Sequence, residues 1–175
     1  MSDYKQFIPC IYLLEKKAVA GFRDHTIVSE DPALLARFYG ENNADELIVF
    51  DLSDEDSSHE AALDTLKLIC SQAQIPVIGA GNIRRMEDVK KLLYAGCKRA
   101  VLNYSKESNI SLTREVSLKF GRDKIWACVE NAAEITANEA LLTEYTEQII
   151  LISEKDIRQS IAVSKQPLIV TLPEV

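Results

Sequence analysis

The sequence predicts an α/β chain that repeats one strand–helix unit around a parallel sheet, and three observations carry that prediction. Apolar runs such as Leu47–Phe50, Ile75–Ile78 and Ala100–Leu102 are short and continuous, the pattern of strands buried on both faces. The runs alternate with stretches whose apolar residues fall at helical spacing: Ala62, Leu63, Leu66 and Ile69 in one, Val89, Leu92 and Leu93 in another. From Ile75 to Ser105 the pattern closes into a full βαβ unit. Pro76 stands at the start of its first strand, Gly79-Ala-Gly81-Asn82 at the end, and Gly96 stops the helix before Ala100-Val-Leu begins the next strand. Such connections are right-handed and build parallel sheets. The two strand ends, Gly79–Asn82 and Asn103–Ser105, then lie together at the carboxyl face of the sheet, where sites in α/β proteins form.

Taken in order, Phe7 to Leu14 is a first strand, and Lys16 to Phe22 forms a hairpin or an extended excursion. Pro32 marks the first turn of a helix that Ser29 and Asp31 are suited to cap, and that runs through Leu34, Leu35 and Phe38. Glu46 to Ser53 is a second strand, followed by the acidic loop Asp54–Ser58 and a helix from His59 to Gln72. After the βαβ unit come a helix over Leu112–Phe120 stopped by Gly121 and a strand over Lys124–Glu130. A short helix around Leu141–Tyr145, a strand over Gln148–Ser153, a helix over Lys155–Val163 and a strand over Pro167–Leu172 complete the chain.

At 175 residues, 47% hydrophobic and 27% charged, the chain has ordinary globular composition and can bury a full core as one domain, residues 1–175. A net charge of −7 argues against nonspecific binding to nucleic acid or to anionic membranes. The absence of a long apolar run and of a secretory signal points to a cytoplasmic protein without a membrane partner. Cys10, Cys70, Cys97 and Cys128 are widely spaced in apolar surroundings and read as buried, reduced thiols rather than a disulfide framework or zinc site. His25 and His59 lie in polar stretches with no cysteine or carboxylate at ligand spacing, so neither a metal nor another cofactor is expected.

Six βα units followed by a lone strand point to a TIM-type barrel that is incomplete, with an open doubly wound sheet as the competing arrangement. A complete eight-unit barrel takes about 250 residues. The expectation is therefore a shortened barrel, the amino-terminal part of a longer protein. Its unpaired strand edges invite a fused domain or a second copy of the chain.

The segments Ile8-Pro-Cys-Ile11, Ala44–Asp51, Ile75-Pro-Val77, Gly81–Asp88 and Ala95–Asn103 resemble, in order and register, the histidine-biosynthesis barrel family. That family comprises the cyclase subunit of imidazole glycerol phosphate synthase and its sister isomerase. The likeness runs from about Phe7 to Glu130. It implies a TIM-barrel fold, acid–base catalysis at strand ends and a substrate with two phosphates. Asp51 and Asn103 match the family pattern. At the end of the first strand, where the pattern has a catalytic aspartate, this chain has Tyr12, and a phenol titrating near 10 is a poor acid–base group at neutral pH. Ala20 stands where a loop lysine is implied, and Glu130 where a second aspartate is implied.

The resemblance also places one phosphate at backbone amides after the third and fourth parallel strands. Here Gly81 and Asn82, with Asn103, Tyr104 and Ser105, take those places, and Arg84 and Lys106 offer charge. The family's other phosphate site falls at Thr171–Glu174, which has no glycine pair. Asp51 reads equally as a loop-ordering or helix-capping carboxylate, Asn103 as a residue bonding its own turn, and Glu130 as a solvated rim residue. Two functions follow. One is a catalytically silent structural or regulatory module attached to a phosphoribosyl-AMP cyclohydrolase/phosphoribosyl-ATP pyrophosphohydrolase. The other is an active phosphosugar-binding lyase or isomerase that uses Asp51 and Glu130 on a phosphate-bearing small molecule.

Overall fold

The computed structural model describes residues 5–170, apart from the side chain of Glu154. They divide into two compact units, the first made of residues 5–82 and 90–98 and the second of 83–89 and 99–170.

In the first unit the strands run in the order β3 (Ile27–Ser29), β2 (Lys17–Val19), β1 (Cys10–Leu14), β4 (Leu47–Asp51) and β5 (Val77–Ala80). The last three are parallel, with Tyr12 opposite Phe50 and Phe50 opposite Ala80. The stretch after β1 is a hairpin: β2 pairs antiparallel with β1, and β3 antiparallel with β2. Glu15 and Lys16 form its two-residue turn at φ +49° and +69°, the left-handed pair that a tight hairpin turn requires. Helix α1 (Pro32–Glu41) begins as its sequence dictates, with Pro32 in the first turn and the Asp31 carboxylate accepting from the Leu34 N–H. Helix α2 (Asp56–Gln72) buries Ala62, Leu63, Leu66 and Ile69. It starts three residues before His59, and its first turn is the acidic stretch expected to be loop. Acidic side chains suit a helix amino end, so Asp56 fits the first turn as well as it would fit a loop.

The second unit has β6 (Arg99–Asn103), β7 (Ile125–Val129), β8 (Gln148–Leu151) and β9 (Leu168–Val170), all parallel in that order. Helix α3 (Met86–Tyr94) precedes β6 and is divided between the two units. Helix α4 (Glu107–Phe120) begins five residues before Leu112. Its buried side carries Asn109, Thr113 and Ser117, so its first turns show no apolar stripe to read. Two short helices, α5 (Ala132–Ala137) and α6 (Glu139–Tyr145), follow β7 where one was expected, and α7 (Ile157–Val163) follows β8. Within this unit Glu147 accepts from both Arg99 Nε (2.7 Å) and Trp126 Nε1 (2.8 Å), and the Arg99 guanidinium lies 5.0 Å from the Trp126 ring centroid. That cluster holds the start of β6 beside β7 and the loop before β8.

Among the described residues three parallel strands lie in the first unit (β1, β4 and β5) and four in the second (β6 to β9), and a helical segment follows each of them except β9. The chain is thus parallel α/β of the incomplete TIM-barrel type that the repeat predicts. The terminal stretch Thr171–Glu174 lies outside the described residues.

Candidate functional site

Asp51 is the last residue of β4. Alternation along a strand puts its side chain on the opposite face from Phe50, the face it shares with its partner Leu13. There the carboxylate is fully engaged. Oδ1 accepts from the Ser53 N–H at 2.9 Å and from the Ser53 hydroxyl, and Oδ2 lies 2.5 Å from Nδ1 of His59 on α2. Both side chains of that pair are largely buried, at 8% exposure for Asp51 and 16% for His59. A histidine bonded to a carboxylate through Nδ1 is fixed in tautomer and ring orientation. Its Nε2 is buried and bonds to no described protein atom. His59 therefore lies in a helix and beside a carboxylate, not in an isolated polar loop. Asp51 and His59 are eight positions apart, a separation that no metal-ligand or helix spacing rule flags.

Gly81 and Asn82 follow β5. Gly81 has φ +95°, and a Cβ there would lie 2.3 Å from the Asp51 carbonyl oxygen, so the chain needs glycine for this close approach. Asn82, at φ +57°, donates from Nδ2 to the Ser53 carbonyl oxygen at 3.0 Å. The Asp51–Ser53 turn is thus braced by Asn82.

On the other face of the same strands Tyr12, Phe22 and Phe50 form an aromatic cluster. Tyr12 stacks on Phe50 with centroids 5.5 Å apart and planes 12° apart, and meets Phe22 edge-on at 4.8 Å. Phe22 in turn meets Phe50 edge-on at 4.9 Å. Burial pushes the adjoining Cys10 thiol up to about 11, against the opposing effect of its hydrogen bond with Tyr12.

In the second unit, Asn103 ends β6 as Asp51 ends β4. Its Oδ1 accepts from the Ser105 N–H at 3.0 Å and the Ser105 hydroxyl at 2.8 Å. Its own N–H donates to Oδ1 of Asn109, a residue 1% exposed that also donates from Nδ2 to the Ile83 carbonyl oxygen at 2.8 Å. The Tyr104 N–H donates to the Cys128 carbonyl oxygen at 3.0 Å, and the Lys106 N–H to that of Asn103 at 3.1 Å. The Tyr104 phenol is buried against Thr113, with its hydroxyl 2.8 Å from Thr113 Oγ1. All four amides from Asn103 to Lys106 have partners within the chain. The amide pair ahead of α3 is also occupied: the Arg84 and Arg85 N–H groups both donate to Oδ2 of Asp88, at 2.9 and 3.1 Å. The chain's own carboxylate holds the anion position there. Glu130 follows β7 as an exposed residue, and its N–H donates to Glu134 at 2.7 Å.

His59, Asp88 and Asn109 are the organising side chains that the sequence reading passed over. Asn109 is marked only by standing six residues after Asn103, and Asp88 by standing at a helix start. Among the described residues no group of three or more histidine, cysteine or acidic side chains is placed to hold a metal ion. Nor is any helix there long and apolar enough to cross a membrane.

The repeated strand and helix, with polar side chains at the ends of β4 and β5 in the first unit and of β6 and β7 in the second, define a parallel α/β protein of the TIM-barrel type. The chain belongs to the family described as histidine biosynthesis protein, whose model matches residues 6–158. It is similar to the imidazole glycerol phosphate synthase subunit HisF of Staphylococcus carnosus, at 32% identity over 77% of this chain and 54% of that one. The subunit of the same name from Exiguobacterium sibiricum is 31% identical over 67% of this chain and 47% of its own length. That of Campylobacter concisus is 30% identical over 72% and 51%. The chain spans about half the length of these curated relatives.

Proposed function

We propose that this chain is a catalytically silent member of the histidine-biosynthesis family, a structural or regulatory module of a larger histidine-pathway protein. The enzyme to which it would be joined is a phosphoribosyl-AMP cyclohydrolase/phosphoribosyl-ATP pyrophosphohydrolase. The observation that carries the reading is the aromatic cluster. Tyr12, at the position where the family resemblance implies an aspartate, is packed against Phe22 and Phe50. Loss of one general acid–base group lowers a rate by roughly 10²–10⁴. The test is turnover of the substrate of imidazole glycerol phosphate synthase with ammonia supplied. No turnover above the uncatalysed background is expected, and measurable turnover overturns the reading. The reading frame around residues 1–175 tests the fusion separately: a continuation into hydrolase sequence supports it.

One observation favours a second reading, an active phosphosugar lyase or isomerase. Asp51 holds an oriented imidazole on His59 whose buried Nε2 bonds to no described protein atom. Backbone amide spectra during titration with ribose 5-phosphate separate the two. Shifts at Gly81, Asn82, Tyr104 and Ser105 at millimolar ligand support phosphate binding, and unchanged spectra leave the scaffold reading.

A further inference from the structure

Two cysteines 27 positions apart in sequence meet inside the first unit, away from the strand-end turns. Cys70 sits in the last turn of α2, and Cys97 in the turn between α3 and β6. Each thiol is the largest influence on the other's pKa. The backbone is shaped to allow this approach. Gly96 holds φ +112°, and a Cβ on it would lie 2.9 Å from Cys70 Cβ and 3.4 Å from Cys70 Sγ. On the other side, a Cβ on Gly79 would lie 2.9 Å from Cys97 Sγ. Glycines thus flank the pair where any side chain would collide with it. Cys70 is half-buried and Cys97 buried, so an oxidant reaches Cys70 first.

We infer that Cys70 and Cys97 are a modification site, a thiol pair that a hydroperoxide closes into an intramolecular disulfide. The Cys70 thiolate attacks the peroxide oxygen, the O–O bond breaks, and Cys70 becomes a sulfenic acid while hydroxide leaves. That hydroxide takes the proton of Cys97. The Cys97 thiolate then attacks the Cys70 sulfur, the S–O bond breaks, and the second hydroxide takes up the proton that Cys70 gave to solvent. Two thiols and one hydrogen peroxide become one disulfide and two waters. The chemistry of the two groups matches these roles. The Cys97 thiol lowers the pKa of Cys70, while the Cys70 thiol and burial raise that of Cys97. The other two cysteines lack such a partner, and burial pushes Cys10 up to about 11 and Cys128 up to about 12.

The test treats the whole chain with hydrogen peroxide and reads intact mass, a disulfide peptide map and maleimide labelling after unfolding. The expected result is loss of two hydrogens, one peptide pair joining Cys70 to Cys97, and full labelling of Cys10 and Cys128. In Cys97→Ser the cross-link disappears and dimedone traps a sulfenic acid on Cys70; in Cys70→Ser neither product forms. The inference is overturned if the unmodified chain goes on to sulfinic acid at Cys70 without a cross-link. It is equally overturned if both thiols stay reduced, or if Cys10 or Cys128 enters the disulfide instead.

Discussion

The ends of β4 and β6 are two versions of one turn. Each is the end of a five-residue strand, Leu47–Asp51 and Arg99–Asn103. In each, the last residue accepts both the N–H and the hydroxyl of a serine two positions on: Asp51 from Ser53, Asn103 from Ser105. This local bonding of an Asx side chain to its own backbone is what orders short turns of this kind. The difference lies in the second side-chain atom. Asparagine has one acceptor oxygen, which the turn uses up, and the rest of the β6 turn is fixed by a separate residue, Asn109. Aspartate has a second oxygen to spare, and it carries a charge, so the β4 turn can also hold His59 and with it the first turns of α2. One atom exchanged between repeats lets the β4 turn's own side chain reach the following helix, a tie that in the β6 turn is made from the helix side by Asn109.

The largest expected effect follows from that difference. Asp51→Ala removes both Ser53 bonds and leaves a largely buried imidazole without its carboxylate, a loss of about 3 kcal/mol in unfolding free energy. Asn103→Ala removes only the turn bonds and should cost about 1.5 kcal/mol. Asp51→Asn makes the β4 turn chemically like the β6 turn, and it should fall between these values because Ser53 keeps its acceptor. Urea unfolding of the three variants measures the ordering. Equal losses at Asp51 and Asn103 would break the comparison by showing that the His59 contact stabilises nothing.

Alkaline pH probes the β6–β7 side of the comparison. Burial pushes the Tyr104 phenol up from 10.0 to about 12, against the lowering effect of its bond with Thr113. Burial, helped by the charges of Glu134 and Glu130, raises Cys128 from 9.0 to about 12. Both groups stay protonated in the folded chain at pH values where the unfolded chain has lost those protons. Their contribution is therefore complete below about pH 9 and is lost as pH rises through the folded values. The unfolding free energy should fall between pH 9 and 12, by up to about 1.4 kcal/mol per pH unit for each group. Urea midpoints measured across that range check the slope, and a flat profile would mean that neither group is shielded from water.

The fold was legible because its signals are local. Continuous apolar runs identified β4, β5, β6, β7 and β8, and Pro32 with the capping residues Ser29 and Asp31 marked the first turn of α1. Where the sequence misled, the buried surface was polar. Helix α4 hides its first turns because Asn109 and Thr113 occupy core positions, and α5 is short and capped by Asn131 without an apolar stripe. At the turns, Asp51 and Asn103 could be picked out as strand-end polar residues, and the reading of Asp51 as a loop-ordering carboxylate describes its contacts. His59 could not be placed, because its partner is set by how α2 packs on β4 and not by spacing along the chain. The same holds for Asp88, whose carboxylate fills the amide pair that charge and helix position alone made look ready for a ligand.

The smallest effect separates two tyrosines on either side of the comparison. The single hydroxyl proton of Thr113 is committed to the Asn109 carbonyl oxygen at 2.9 Å, so in the 2.8 Å contact between the two hydroxyls Tyr104 must donate and Thr113 accept. That bond is buried and links the β6 turn to α4. Tyr104→Phe removes it, keeps the ring in place, and should cost about 1 kcal/mol at neutral pH. It should also remove the phenol's share of the alkaline slope. The ring of Tyr12 is held by Phe22 and Phe50, contacts that a phenylalanine keeps. Tyr12 is also less buried than Tyr104, so Tyr12→Phe should cost less than Tyr104→Phe. Parallel urea unfolding of the two variants decides the point. A larger loss at Tyr12 than at Tyr104 would mean that the first hydroxyl has a structural partner stronger than the Cys10 thiol, and that the aromatic cluster is more than a set of packed rings.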